Sequence, residues 1–460
     1  MKSFYSPVFI SKVLKSYLFD IDRLWNLNEK DLKKYQNKRL RKMVKFAYTV
    51  PLYHDKYKKA GVHLEDIRGV SDIEKLPMVS KYDFKNYYPD GIVSSKIDKN
   101  KLIQVSTSGT TGKSLSIYVD MFDIAVGLFG YIRSLREHGI NWRRDKLSII
   151  ADFAPHTVET GYIYRGLQPR FSSNLFFKNM QWLNTNDPPE QVIEEIDKFK
   201  PDFIGGYTGM LGHIALLKDK GFGKDISPRV IASTGGPLGK ALKELIEKTF
   251  DAPVFESYGS TETGPIAFQC KNGRYHTMSD FVYLEYLKDG EPVESDEAGK
   301  LVVTKLYGYG TPVIRYDAIN DIVAPIHEKC DCGLSGDLIE KIYGRDDLSL
   351  YSCDGKIILP SSLGEIFSRI LYELKTNKIR NARVIQHSLK KIEVQVVIDE
   401  KLRKQGPSVE EIFSVLKQGL HEKLGSQVEI LTREVKKIDK TKPSIISKVD
   451  QSKIKITGYI

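Results

Sequence analysis

Cysteine is scarce: the chain has four in 460 residues. So few exclude a disulfide framework and fit a reducing compartment. No apolar run approaches the roughly 18 residues that span a bilayer, and no cleavable leader with an apolar centre and a small-residue cleavage site is visible; a cytoplasmic protein without a transmembrane segment is expected. No internal repeat is present, which excludes a repeat architecture. Charge of one sign is not concentrated anywhere. Lys and Arg number 70 against 59 Asp and Glu, a formal net charge of +11, but the basic residues are spread along the chain and no basic-aromatic recognition motif accompanies them. Nucleic acid is therefore not an expected partner. A solvated basic surface remains, and it would attract anionic nucleotide and acyl substrates.

What is present fits a soluble globular protein. Hydrophobic residues at 41% and charged residues at 28% are ordinary values, and the length exceeds what one core usually holds, so two domains are expected. The N-terminal stretch Phe4 to Leu18 is apolar with interspersed lysines. It reads as a helix packed on the body, with weak peripheral contact to a membrane surface as the alternative. From Asn28 to Ala47 the positions Leu32, Tyr35, Leu40, Met43, Val44 and Ala47 recur at close to helical spacing. Between Leu147 and Leu211 short apolar runs alternate with amphipathic stretches such as Pro189 to Phe199, the pattern of a wound, parallel α/β sheet. Arg229 to Leu238 continues it: a strand, a glycine turn at Gly235-Gly236, then a helix over Lys240 to Phe250. Ligands bind at such strand ends. The tail carries the alternating run Lys391 to Ile398, an amphipathic helix from Val409 to Leu424 and a short apolar run at Val428, which read as a small α+β domain.

Four motifs carry chemistry. The first is Val105-Ser-Thr-Ser-Gly-Thr-Thr-Gly-Lys-Ser114. Gly109 and Gly112 let the backbone turn tightly and present N–H groups to anionic oxygens. Ser106, Thr107, Ser108, Thr110 and Thr111 offer hydroxyls, and Lys113 adds a point charge. It is not a Walker loop, because Thr107 stands where that motif needs its first glycine. The second motif, Ala252 to Gly264, is a strand ending in a turn with an aromatic ring, a hydroxyl and a carboxylate. Tyr258 suits adenine, Thr261 a phosphate oxygen, and Glu262 the Mg2+ that neutralises a triphosphate. Third and fourth come Gly310 to Asp321 and Tyr343-Gly-Arg-Asp-Asp-Leu348, in which Asp321 suits ribose hydroxyls and Arg345 suits phosphate or the same ribose.

Together, and with Pro51-Leu-Tyr53 and the Leu76 to Lys81 segment near the start, these motifs resemble the adenylate-forming superfamily, most closely its phenylacetate-CoA ligase-like and CapK-like branch. The resemblance implies a large ATP- and acid-binding domain, residues 1–344, and a small mobile domain, residues 345–460, turning at Gly344-Arg345. It implies activation of a carboxylic acid as its acyl-adenylate, then transfer to coenzyme A or an amine. Adenylyl transfer to a hydroxyl, or a non-catalytic nucleotide-binding relative, are the alternatives. It further places Tyr207, Thr208 and Gly209 beside the acid, with Gly235 and Gly236 bordering nucleotide and acid alike. A lysine of the mobile domain would lie beside the reacting phosphorus; Lys442 is the candidate, with Lys440 and Lys448 behind it. Two departures stand out: the segment Arg315 to Asp321 is one residue longer than the family pattern, and Thr441 replaces the glycine before Lys442.

Three of the cysteines fall in short clusters. Cys270 precedes His276, and Cys330 and Cys332 flank one residue before Gly333. Sulfur and imidazole donors at such spacing suit a closed structural zinc, with His327 as substitute donor and Cys353 left as a core thiol.

Overall fold

The computed structural model describes residues 7–107, 114–167, 177–439, 442–450 and 454–460. Ser108, Gly109, Thr110, Thr111, Gly112 and Lys113 of the hydroxyl-rich loop lie outside the described residues, as does Lys440.

A twelve-stranded sheet forms the body. Five of its strands are parallel, in the order Met180–Asn184, Leu147–Ala151, Phe203–Tyr207, Val230–Thr234, Val254–Ser260. Here the wound α/β reading holds. The central strands are largely buried because helices cover them, and Pro189–Phe199, Thr208–Asp219 and Lys240–Phe250 bury Val192, Ile196, Leu211, Ile214, Leu242 and Ile246 in one cluster with Ile204 and Ile231. The first two strands in sequence are exchanged in space, so strand order reverses between Leu147–Ala151 and Phe203–Tyr207; at such a point a crevice opens at the carboxyl ends.

Beyond Val254–Ser260 the sheet continues in antiparallel strands: Gly264–Gln269, Tyr275–Thr277, Leu338–Arg345, Asp321–Ile326, Gly299–Lys305, Val282–Lys288 and Glu291–Pro292. This half brings the third and fourth motifs together, since Asp321 and Arg345 are direct cross-strand partners. A bulge between Ile322 and Val323 follows at once.

Helix Glu29–Ala47 forms as its spacing requires: Asn28 caps it, its side chain accepting from the Asp31 N–H at 2.9 Å, and Leu32, Leu40, Met43, Val44 and Ala47 are buried. Helix Met121–Glu137 starts at a capping box of Asp120 and Asp123 and is buried on several sides. Its Arg133, fully enclosed, makes two 2.8 Å bonds to Asp280. The N-terminal helix Pro7–Phe19 packs on it through Tyr17, edge-on to Phe129 and Trp142, while Leu14, Leu18 and Phe19 stay exposed. No helix among the described residues is long and apolar enough to cross a membrane.

A separate α+β region follows. Its four-stranded sheet runs Glu429–Glu434, Lys391–Ile398, Ile379–Ser388, Ile445–Ser447, with Pro360–Tyr372 and Val409–Leu424 packed on it. Ile392, Val394, Val396 and Ile398 alternate into a core with Leu363, Ile366, Leu416 and Leu420. One expectation fails here. Cys353 is exposed, not buried, because it sits in the tight turn between Leu350–Tyr351 and Lys356–Ile358, where the chain reverses at the surface.

Candidate active site

A cleft of about 1430 Å³ lies at the carboxyl ends of the parallel strands. Thr107, Tyr207, Gly235, Gly236, Tyr258, Thr261, Glu262, Asp321 and Arg345 all contribute to its wall. They come from six separated stretches of chain, each delivered by a strand end.

The Tyr258 hydroxyl donates to the Asp321 carboxylate, which fixes the ring. Burial pushes the Asp321 carboxyl up to about 6, and the Tyr258 hydrogen bond and the Arg345 charge hold it from rising further. Arg345 is itself oriented by a two-point pair with Asp347, at 2.9 and 2.8 Å. Glu262 is buried, so its carboxyl lies above the usual range, and it accepts from the Tyr316 hydroxyl at 3.2 Å. An enclosed hard oxygen donor on the cleft wall fits the magnesium that accompanies a nucleotide triphosphate.

The acid-side candidates divide. Tyr207 faces the cleft, its hydroxyl donating to Glu159 Oε1 at 2.7 Å, and burial raises the Glu159 carboxyl. Its ring lies against Gly235, where a Cβ would stand 2.3 Å from Tyr207 Cδ1 and φ is +74°. Glycine is required there twice over. Thr208 is not on the cleft wall; its hydroxyl lies 2.8 Å from Ser233 Oγ and 2.9 Å from the Gly236 carbonyl, so it braces the glycine turn. Gly209 is exposed in the first turn of helix Thr208–Asp219, also off the cleft wall. Ser106 is turned to the hairpin, its hydroxyl 2.8 Å from Ser116 Oγ. Lys442 is exposed on the loop before Ile445–Ser447 and does not line the cleft, although Ser444 of the same loop does. Lys448 sits 3.3 Å from His387 Nδ1.

Several wall residues carried no role in the sequence reading. Lys81, first residue of helix Lys81–Tyr87, enters the cleft beside Glu262 and Arg345; burial and the Arg345 charge lower its pKa. Its signal was the Leu76 to Lys81 segment, quoted for resemblance alone. Glu256 and Glu159 add half-buried carboxyls, both raised by burial, and Phe129, Ile132, Trp142, Met180 and Trp182 form an apolar end wall. Nothing local marks these, because they meet only through the sheet.

Away from the cleft, Cys270, His276, Cys330 and Cys332 do converge, with all four ligand atoms within 4.8 Å of one another. His327 is not in that group.

Residues 103–306 match the family model described as AMP-binding enzyme. The chain therefore carries an AMP-binding domain. This AMP-binding enzyme is 25% identical over 434 residues to Protein CapK of Staphylococcus aureus, covering 93% of the chain and 90% of that protein. It is 28% identical over 306 residues to phenylacetate-coenzyme A ligase of Escherichia coli (strain K12), covering 64% of the chain and 68% of the ligase. Among solved structures it resembles 2-hydroxyisobutyryl-CoA ligase in the postadenylation state in complex with 2-HIB-AMP, with TM-score 0.71 and 17% identity, covering 91% of the chain and 89% of that protein. Against the same ligase with 2-HIB-AMP and CoA in the thioesterification state the TM-score is 0.62. At this identity the likeness concerns the fold of the AMP-binding enzyme alone.

Proposed function

We propose that the protein uses ATP to activate a carboxylic acid as its acyl-adenylate and then transfers the acyl group to coenzyme A. An oxygen of the acid attacks the α-phosphorus of ATP, the bond to the β-phosphate oxygen breaks, and pyrophosphate leaves. The thiol sulfur of coenzyme A then attacks the acyl carbonyl; AMP leaves and the thiol proton goes to solvent. The carboxylate is already a nucleophile, so the protein's work is to position the groups and stabilise charge on phosphorus.

The observation that carries this reading is the cross-strand pair of Asp321 and Arg345, joined by Tyr258, in the cleft that also holds Glu262. In this reading Tyr258 stacks on adenine, Asp321 accepts from ribose hydroxyls, Thr261 and the loop 106–113 hold phosphates, and Gly235-Gly236 let the nucleotide approach the backbone. Tyr207 borders the acid. Glu262 holds Mg2+, which when bound neutralises triphosphate charge. Zinc belongs to the reading only as a structural ion. The chain divides at residues 344 and 345, where Gly344 takes φ +94°, and the two parts reorient between half-reactions. Lys442, off the cleft wall here, is the lysine the adenylation pose brings in. We place the protein in the cytoplasm.

The test is pyrophosphate release over a panel of aromatic, fatty and amino-acid-derived acids, with and without coenzyme A. Acid-dependent release with thioester formed only when coenzyme A is present supports the reading. AMP carried to a hydroxyl compound would place the enzyme among the adenylyltransferases, and no release with any acid would make it a nucleotide-binding relative.

A further inference from the structure

The cysteine–histidine cluster lies outside the cleft and takes no part in the chemistry above. Cys270 Sγ and Cys330 Sγ are 3.7 Å apart, and Cys332 Sγ is 3.2 Å from His276 Nε2. The sulfurs are too far apart for a disulfide, whose S–S bond is about 2.05 Å. A tetrahedral ion with bonds of about 2.3 Å to sulfur and about 2.0 Å to nitrogen separates its donors by roughly 3.8 Å between sulfurs and roughly 3.5 Å between sulfur and nitrogen. The observed spacings are close to those edges.

The donors sit where the chain holds them firmly. Cys270 directly follows strand Gly264–Gln269, and His276 lies in the next strand, paired with both Phe268 and Leu338. Cys330 and Cys332 come from the loop between strands Asp321–Ile326 and Leu338–Arg345, whose turns pass through Gly333 at φ +88° and Gly336 at φ +105°. Cys270, His276 and Cys332 are buried, and the Asn272 side-chain amide points at Cys330 Sγ from 3.8 Å. His276 Nδ1 has no hydrogen-bond partner among the described residues. In the tautomer that carries its proton on Nδ1, His276 presents the Nε2 lone pair beside Cys332 Sγ, and a metal–nitrogen bond at Nε2 would use that buried acceptor. Three sulfurs and one nitrogen in a closed tetrahedron select zinc over magnesium or calcium, which take oxygen donors.

The same loop grips the N-terminal helices. Ser335 reaches the Leu24 carbonyl with both its N–H, at 2.7 Å, and its hydroxyl, at 2.8 Å. Ile21, Leu24 and Leu32 share one buried cluster with Cys270, Cys332 and Leu334. From there the chain leads back to helix Pro7–Phe19, whose Val13, Leu14 and Tyr17 wall the cleft at the end holding Trp142.

We propose that Cys270, His276, Cys330 and Cys332 hold one zinc ion in a closed site that clasps the N-terminal helices to the hairpin of strands Gly264–Gln269 and Tyr275–Thr277. The ion is structural, so this inference rests on the acid-activation reading only where the clasp touches the cleft.

Elemental analysis of full-length protein, purified without chelator and with thiols reduced, should give one zinc per chain. Replacement by cobalt should give the intense thiolate-to-metal absorption and the visible bands of a tetrahedral site. Cys330→Ser should lose the ion and melt at lower temperature, while Cys353→Ser, away from the site, should keep both. Should Cys330→Ser fail to fold, metal content and cobalt spectrum of the wild-type chain still decide. Absence of stoichiometric metal, or a cobalt spectrum without thiolate bands, overturns the site. Stripping zinc with a thiol reagent and chelator should speed hydrogen exchange in residues 20–36 and leave 254–262 unchanged; unchanged exchange in 20–36 overturns the clasp. None of these readouts depends on pyrophosphate release.

Discussion

Asp321→Asn isolates the group on which nucleotide recognition is argued to depend. Asparagine keeps the size of the side chain and still accepts the Tyr258 hydroxyl, so the cleft keeps its shape. It loses a charged acceptor for ribose hydroxyls and the charge facing Arg345. A hydrogen bond to a charged group contributes about 1.5–3 kcal/mol, so losing about 2–3 kcal/mol lowers kcat/KM for ATP roughly 30- to 150-fold. The pH profile adds an independent signature. Burial raises the Asp321 carboxyl to about 6, so in wild-type protein ATP use falls as pH drops through that value and the acceptor is protonated. The variant, with nothing to titrate, lacks that limb. For stability the sign is opposite: a carboxyl raised on folding favours the folded state at low pH, and that contribution is lost as pH rises through about 6. Ligand-free Asp321→Asn protein should therefore be no less stable than wild type at pH 8. Pyrophosphate release against ATP concentration between pH 5 and 8, with thermal melts of the apo protein, reads all three effects. A kcat/KM within about twofold of wild type, or an unchanged acid limb in the variant, refutes the role of Asp321.

Gly235→Ala should melt lower and lose acid-dependent turnover, because a Cβ at φ +74° costs about 1–2 kcal/mol and would displace the Tyr207 ring; a variant with normal kinetics contradicts the tight approach. Lys442→Ala should lose adenylate formation yet consume a supplied acyl-AMP with coenzyme A, and equal loss of both half-reactions would point to another lysine. Asp280→Asn leaves the enclosed Arg133 without its charge partner, which costs about 3–5 kcal/mol and should lower the apparent melting midpoint sharply, whereas an unchanged midpoint would mean the pair is dispensable.

Much of the fold was legible because helix boundaries are local. Helices Lys240–Phe250, Pro189–Phe199 and Val409–Leu424 begin and end where their patterns do. The antiparallel half of the sheet was not legible, since its strand order joins Leu338–Arg345 to Asp321–Ile326 on one side and to Tyr275–Thr277 on the other, pairings that no local pattern encodes. One part of the cleft wall could be read because Tyr258, Thr261 and Glu262 lie within five residues, and the extra residue before Asp321 did not keep that carboxylate from the same wall. The acid side could not. Thr208 looked like a ligand contact and serves as a brace, while Glu159 and the apolar end wall gain meaning only from neighbours distant in sequence. Cys353 shows the limit of composition: a thiol expected in the core stands in a surface turn.

The central claim, that an acid oxygen attacks the α-phosphorus of ATP, is tested most directly by isotope transfer. An acid accepted by the enzyme is supplied with 18O in its carboxylate, and the AMP released during thioester formation is weighed by mass spectrometry. Passage through an acyl-adenylate leaves one carboxylate oxygen on AMP, so the account predicts AMP heavier by one 18O atom. AMP without label, formed while acid and coenzyme A are consumed, would contradict it.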